Sequence, residues 1–83
     1  MKAEQFNGAK NQFIIYGEDG IYFQSYNSII VFRPFNGKIQ LDKYYWDYSK
    51  TTGKYRNLFL NENKKETQEK IDSGEYILTN LNK

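Results

Sequence analysis

Two dipeptides, Asp19-Gly20 and Asn36-Gly37, constrain this chain more than any other feature. Both favour the positive φ angles of a two-residue type I′ hairpin loop, and both are flanked by β-forming sequence. With Asp19-Gly20 as a loop, Glu18 is expected opposite Ile21, Tyr16 opposite Phe23 and Ile14 opposite Ser25. One face is then Ile14, Tyr16, Ile21 and Phe23, and the other is Phe13, Ile15, Tyr22, Gln24 and Tyr26. With Asn36-Gly37 as a loop, Phe32 is expected opposite Leu41, Ile30 opposite Lys43 and Arg33 opposite Gln40. Ile30, Phe32, Ile39 and Leu41 make the expected core face of this second hairpin, and Pro34 sits opposite Ile39, where its missing N–H is not needed.

The β pattern ends after Tyr44, and Ser49, Thr51 or Thr52 offers a helix cap. Tyr55, Leu58 and Phe59 recur at helical spacing, which predicts a helix over Thr52 to Asn61 that lays Leu58 and Phe59 on Ile30, Phe32, Ile39 and Leu41. Asn63 and Glu66 have the spacing of a capping box that opens a second helix, closed by Gly74 and followed by a strand over Glu75 to Thr79. The fold class is α+β: a small antiparallel sheet of two hairpins plus a C-terminal strand, with two short helices, in the order ββββααβ. A single domain is expected over residues 1–83, with 1–10 a loosely ordered start.

At 83 residues there is room for one core. The chain contains no Cys and no His, so disulfides, zinc, the thiolate nucleophile and the commonest general base are all missing. The glycines stand singly, without a phosphate-cradling loop. The acidic pairs Glu18-Asp19 and Asp42 with Asp47 are the candidates for magnesium ligands or an acid–base couple; Glu18-Asp19 reads as structural, Asp19 being needed by its turn, and no catalytic role is expected of either pair. The expectation is a non-enzyme without catalytic residues, metal or cofactor. No stretch is apolar enough for a signal peptide or a bilayer span, so a cytoplasmic protein without a membrane partner is expected.

Net charge is only +2, but it is unevenly placed. Arg33, Lys38, Lys43, Lys50, Lys54 and Arg56 face only Asp42 and Asp47 between residues 33 and 56. Fifteen residues are aromatic, and Tyr44, Tyr45, Trp46 and Tyr48 crowd into the same region. Two readings stand side by side. The rings plug the joint between sheet and helix, since rings are the main core material here. Alternatively Arg33, Lys43, Tyr44, Trp46, Tyr48, Lys50, Lys54, Tyr55 and Arg56 form a partner-binding surface, because Tyr, Trp and Arg anchor interfaces. The same rings and cations would also suit unpaired bases and phosphates.

The segments Tyr22-Phe23-Gln24-Ser25-Tyr26-Asn27-Ser28-Ile29-Ile30 and Tyr45-Trp46-Asp47-Tyr48-Ser49-Lys50-Thr51-Thr52-Gly53-Lys54-Tyr55 resemble a group of small phage and prophage proteins of unknown function. Their pattern is aromatic-x-Ser-Tyr-x-Thr/Ser-x-Ile, then Tyr-Ser-x-Thr-Thr-x-Lys-His, with Tyr55 standing here in place of the His. The resemblance implies a phage-type accessory protein, working in a bacterial host's cytoplasm. Such a protein binds and inhibits or redirects a host protein or nucleoprotein complex, an anti-defence, anti-CRISPR-like role included. The alternative is a small nucleic-acid-binding module using the same basic and aromatic surface.

Overall fold

Residues 2–82 are described by the structure, a computed structural model; Met1 and Lys83, the two ends of the expected domain, lie outside the described residues. Six strands form one sheet in chain order: β1 (Lys2–Gln5), β2 (Gln12–Tyr16), β3 (Gly20–Ser25), β4 (Ser28–Pro34), β5 (Gln40–Asp42) and β6 (Ile77–Thr79). All neighbours are antiparallel except β5 and β6, which run parallel. A parallel pair needs a crossover. Here it is supplied by two helices, α1 (Lys50–Leu60) and α2 (Lys64–Asp72). The α+β class with two hairpins, two helices and a last strand is therefore as the sequence predicts. The addition is β1: residues expected to be loose pair with β2 from Lys2 opposite Tyr16 to Gln5 opposite Phe13.

Both predicted turns lie between strands, but neither is a two-residue loop. Gly17, Glu18 and Asp19 connect β2 to β3, closed by the Gly17 N–H to the Gly20 carbonyl, so Tyr16 faces Ile21 and Ile14 faces Phe23. That is two residues from the expected register, which preserves the faces. Between β4 and β5 the slip is one residue: Val31 faces Leu41 and Phe32 faces Gln40. Pro34 lies opposite Gly20 of β3 rather than Ile39. The tight turn is elsewhere, at Tyr26-Asn27, with Ser25 opposite Ser28 and Tyr26 at φ +55°. A tyrosine in the left-handed region costs on the order of 1 kcal/mol or more.

A bulge in the β3–β4 pairing, between Phe23 opposite Val31 and Gln24 opposite Ile29, gives β4 one extra residue. Ile30 and Val31 consequently both point inward, joining Phe23, Leu41, Leu60 and Tyr76 in the core. Phe32 falls on the opposite face, where its ring stacks on Tyr22 at 4.4 Å. It does not share the core expected of it. Rings do supply much of the interior, as Phe6, carried by a 3-10 turn after β1, meets Phe23, Tyr55 and Phe59 edge-on at 5.8, 5.8 and 6.4 Å. Each such pair adds roughly 0.5–1.5 kcal/mol beyond its buried area.

Helix α1 begins where Ser49 accepts a hydrogen bond from the Thr52 N–H. Its buried line is Thr52, Gly53, Arg56 and Leu60, flanked by Tyr55 and Phe59. Leu58 lies about 200° around the helix from Arg56 and is half exposed, so it does not reach the core. The capping box of α2 is present, with Asn63 and Glu66 each bonding the other's backbone N–H. Glu62, in the connection between the helices, ties α2 to the segment before β6: its carboxylate accepts from Lys70 at 2.7 Å, Thr67 at 2.6 Å and the Tyr76 hydroxyl at 2.9 Å.

Burial pushes the Glu62 carboxyl up, but hydrogen bonds from Lys70, Thr67 and Tyr76 outweigh it and hold the group below its ordinary 4.5. A carboxylate with a lowered folded pKa contributes stability above its unfolded value, lost as pH falls through the folded value. Burial, then the neighbouring Glu62, push the Tyr76 phenol up to about 12, so its contribution is present below pH 10 and lost between 10 and 12. Glu62→Gln is expected to cost about 1–2 kcal/mol at pH 7, the gap to wild type closing as pH falls below 4.5. Thermal melts from pH 7 to 3 measure this, and a gap constant with pH would show that charge plays no part. Gly20 supplies a second prediction, because a Cβ there would run into the Arg33 carbonyl and lie 2.7 Å from Pro34 Cα. Gly20→Ala should destabilise by about 2–3 kcal/mol in urea titrations; a loss under about 0.5 kcal/mol would mean that β3 and β4 part freely at that end.

Candidate functional site

The turn segment from Lys43 to Tyr48 owes its shape to Asp42. That carboxylate is fully buried and accepts from the N–H groups of Tyr44 at 3.1 Å and Tyr45 at 2.9 Å through Oδ2, and of Leu81 at 2.8 Å through Oδ1. With its oxygens occupied by backbone N–H groups, Asp42 shapes this turn. Consecutive rings are thereby sent in different directions. Tyr45 and Trp46 pack against the core, whereas Tyr44 and Tyr48 stand 67% and 68% exposed. Tyr48 is steadied by Tyr45, edge-on at 5.6 Å.

The two arginines are drawn inside. Arg56 is 1% exposed; its Nη1 donates to the Trp46 carbonyl at 2.7 Å and to Asp47 at 3.2 Å, Nη2 donates to Asn57 at 2.9 Å, and the guanidinium lies over the Trp46 ring. Arg33 Nη2 donates to the Phe59 carbonyl at 2.7 Å and its guanidinium covers the Phe59 ring, tying β4 to the end of α1. Tyr55 is half-buried against Phe6. Lys43, Lys50 and Lys54 are exposed and make no ion pair among the described residues, Lys43 lying over Tyr44 and Lys54 over Tyr55. Of the nine residues singled out from the sequence, Tyr44, Tyr48 and the three lysines form an accessible rim. Trp46 and Arg56 hold that rim in place, while Arg33 and Tyr55 pack away from it, against Phe59 and Phe6. Burial pushes the Asp47 carboxyl up, but Lys64 at 2.6 Å and Arg56 outweigh it and keep the group lowered, so it stays ionised and partnered.

Two depressions flank the first turn of α1 and meet at Ser49. A cleft of about 570 Å³ has the β3–β4 turn, Ser25 to Ser28, as one wall and Tyr45, Tyr48 and the start of α1 as the other, with Ile30 at its base. No ionisable acid or base other than tyrosine lines it. On the far side, a groove of about 550 Å³ is lined by Lys50, Lys54, Arg56 and Lys64 with Asp47 as the one acid. The cleft joins the two segments that carry the phage-protein resemblance, through a hydrogen bond of 2.9 Å between the Ser25 and Thr52 hydroxyls. Sequence reasoning missed Ser25, Tyr26, Ser28 and Thr52 as one site, since hydroxyls before a helix read as caps, which Ser49 is. The signal available was that both motif segments are hydroxyl- and tyrosine-rich.

The split between fixed and accessible residues is measurable. Arg56→Ala should cost about 3 kcal/mol, because it removes a packed, hydrogen-bonded buried group. Tyr44→Ala and Tyr48→Ala should each fall within about 0.5 kcal/mol of wild type in chemical denaturation. The opposite ranking would mean that the exposed rings are core and Arg56 is not.

Among the described residues, no helix is long and apolar enough to cross a membrane and no group of three acidic side chains is placed to hold a metal ion. No curated protein and no solved structure matches the chain. One family model, described as a family of unknown function (DUF8033), matches residues 1–75, and by that extent the chain belongs to the DUF8033 family.

Proposed function

We propose that this chain is a non-enzymatic binding module of the phage accessory kind, which engages a host protein or nucleoprotein complex through residues 43 to 56 and inhibits or redirects it. The observation that carries this reading is the rim itself. Two tyrosines stand two-thirds exposed beside three lysines that make no ion pair among the described residues, on a segment held by Asp42, Trp46 and Arg56. Folding alone gives no reason to hold large rings out in water; at an interface, rigid rings add contact area at little conformational cost. A chain without His or Cys brings neither of the commonest catalytic side chains to that surface, which favours binding over catalysis.

Reversing Lys50 and Lys54 to Glu should leave the thermal midpoint nearly unchanged, since both side chains are exposed, and should abolish partner capture from bacterial lysate. A double variant that folds normally and retains every wild-type partner would place the function elsewhere on the chain. Direct nucleic-acid binding is the second reading, favoured by the basic groove beside the cleft. It differs from a ring-anchored protein interface in losing affinity steeply with salt.

A further inference from the structure

We infer that the cleft between the β3–β4 turn and α1 is a subsite for one unpaired nucleobase, and that the adjoining basic groove holds the phosphate of the same strand. The inference rests on the second reading above, direct nucleic-acid binding, and names the chemistry that its surface takes. Three observations converge on it, each from a different part of the site.

The first is a count of hydrogens. Ser49 donates to Thr52 Oγ1 at 3.2 Å, and Thr52 and Ser25 share one bond at 2.9 Å. Three hydroxyl donors thus make two bonds among themselves, and no other acceptor among the described residues takes the third. Whichever of Ser25 and Thr52 donates to the other, one O–H remains without an acceptor. These side chains are 3% and 1% exposed and line the cleft. An O–H on the cleft lining that no other side chain takes up can donate to a ring nitrogen or carbonyl on a base edge.

The second is Tyr26. Its backbone is held at φ +55°, where Asn or Gly would sit with less strain, and its ring is 48% exposed at the cleft wall. The turn does not explain a ring there. With Tyr48 on the opposite wall, the cleft has exposed rings on two sides and a neutral lining, which suits an uncharged planar heterocycle. The third is adjacency: Ser49 lines both depressions, and Lys50 and Lys54 line the basic one, so a base in the cleft has cations for its phosphate one helical turn away. A duplex keeps its bases stacked inside, which makes the expected ligand single-stranded.

Fluorescence anisotropy of labelled oligonucleotides tests this with the full chain: a mixed-sequence single strand, its duplex, and an abasic strand of equal length. The single strand should bind at least tenfold more tightly than the other two. Tyr26→Asn, which keeps a residue tolerant of positive φ, should melt no lower than wild type yet bind about tenfold more weakly, as should Tyr48→Ala. Lys50→Glu with Lys54→Glu should weaken binding and flatten its salt dependence. Equal binding of the abasic strand or the duplex, or unchanged affinity in the Tyr26 and Tyr48 variants, overturns the base subsite. If no oligonucleotide binds while the wild type still captures a partner from nuclease-treated lysate through Lys50 and Lys54, the subsite falls and the broader binding reading stands.

Discussion

One buried carboxylate organises the functional half of this molecule. Asp42 sits at the end of β5 with three backbone N–H groups bonded to it, two from the segment that follows and one from Leu81 near the chain's end. A buried carboxylate is tolerable only when its lone pairs are met in this way, and hydrogen bonds to a charge are roughly twice as strong as neutral ones. The arrangement turns the chain sharply out of the sheet and brings the tail back alongside it. Without it, the rings from Tyr44 to Tyr48 would have no fixed direction, and the cleft would lose the wall that Tyr45 and Tyr48 supply.

The cations divide by type. Both arginines in the basic region lie against rings with their forks on carbonyl oxygens, while the lysines of the region remain outside. The planar guanidinium can stack and bond at once with less hydration to give up, whereas the ammonium stays solvated at the end of its stem. The positive charge read along residues 33 to 56 is therefore two different things. One part is cement between β4, α1 and the Trp46 segment, and the other is the surface charge a partner would meet.

Much of the fold was legible in the sequence because turn chemistry and caps are local. Asn63 and Glu66 meet as their spacing requires, Ser49 caps α1, and chain reversals occur near both glycine dipeptides. What was not legible came from tertiary demands. The β4–β5 register differs by one residue because a bulge beside Ile30 lets two consecutive residues face inward, which alternation cannot express. Gly20 is small to admit the backbone of β4, not to take a positive φ. In α1, the apolar spacing of Tyr55, Leu58 and Phe59 pointed to one face, but the helix is phased by Thr52 and Arg56, polar residues that hydropathy places outside. The cleft was hidden for a related reason, as Thr52 looks like a cap and Ser25 like an ordinary strand residue until the two are seen to touch.

The side-chain amide of Asn82 gives the N–H and carbonyl of Ile29 the pair of bonds that another strand would supply, at 2.7 and 2.8 Å. Together with the parallel pairing of Gln40 and Ile77, this makes the sheet depend on contacts separated by dozens of residues, which close late because long loops must be ordered first. The antiparallel strands β1 to β5 pair with sequence neighbours and can assemble as the chain is made. Until residues 77 to 82 arrive, the outer side of β5 and the backbone at Ile29 are open edges of the kind that recruit other chains. The pairing of β6 thus moves the open border of the sheet from β5 to a strand of only three residues, which leaves little backbone there for another chain to extend.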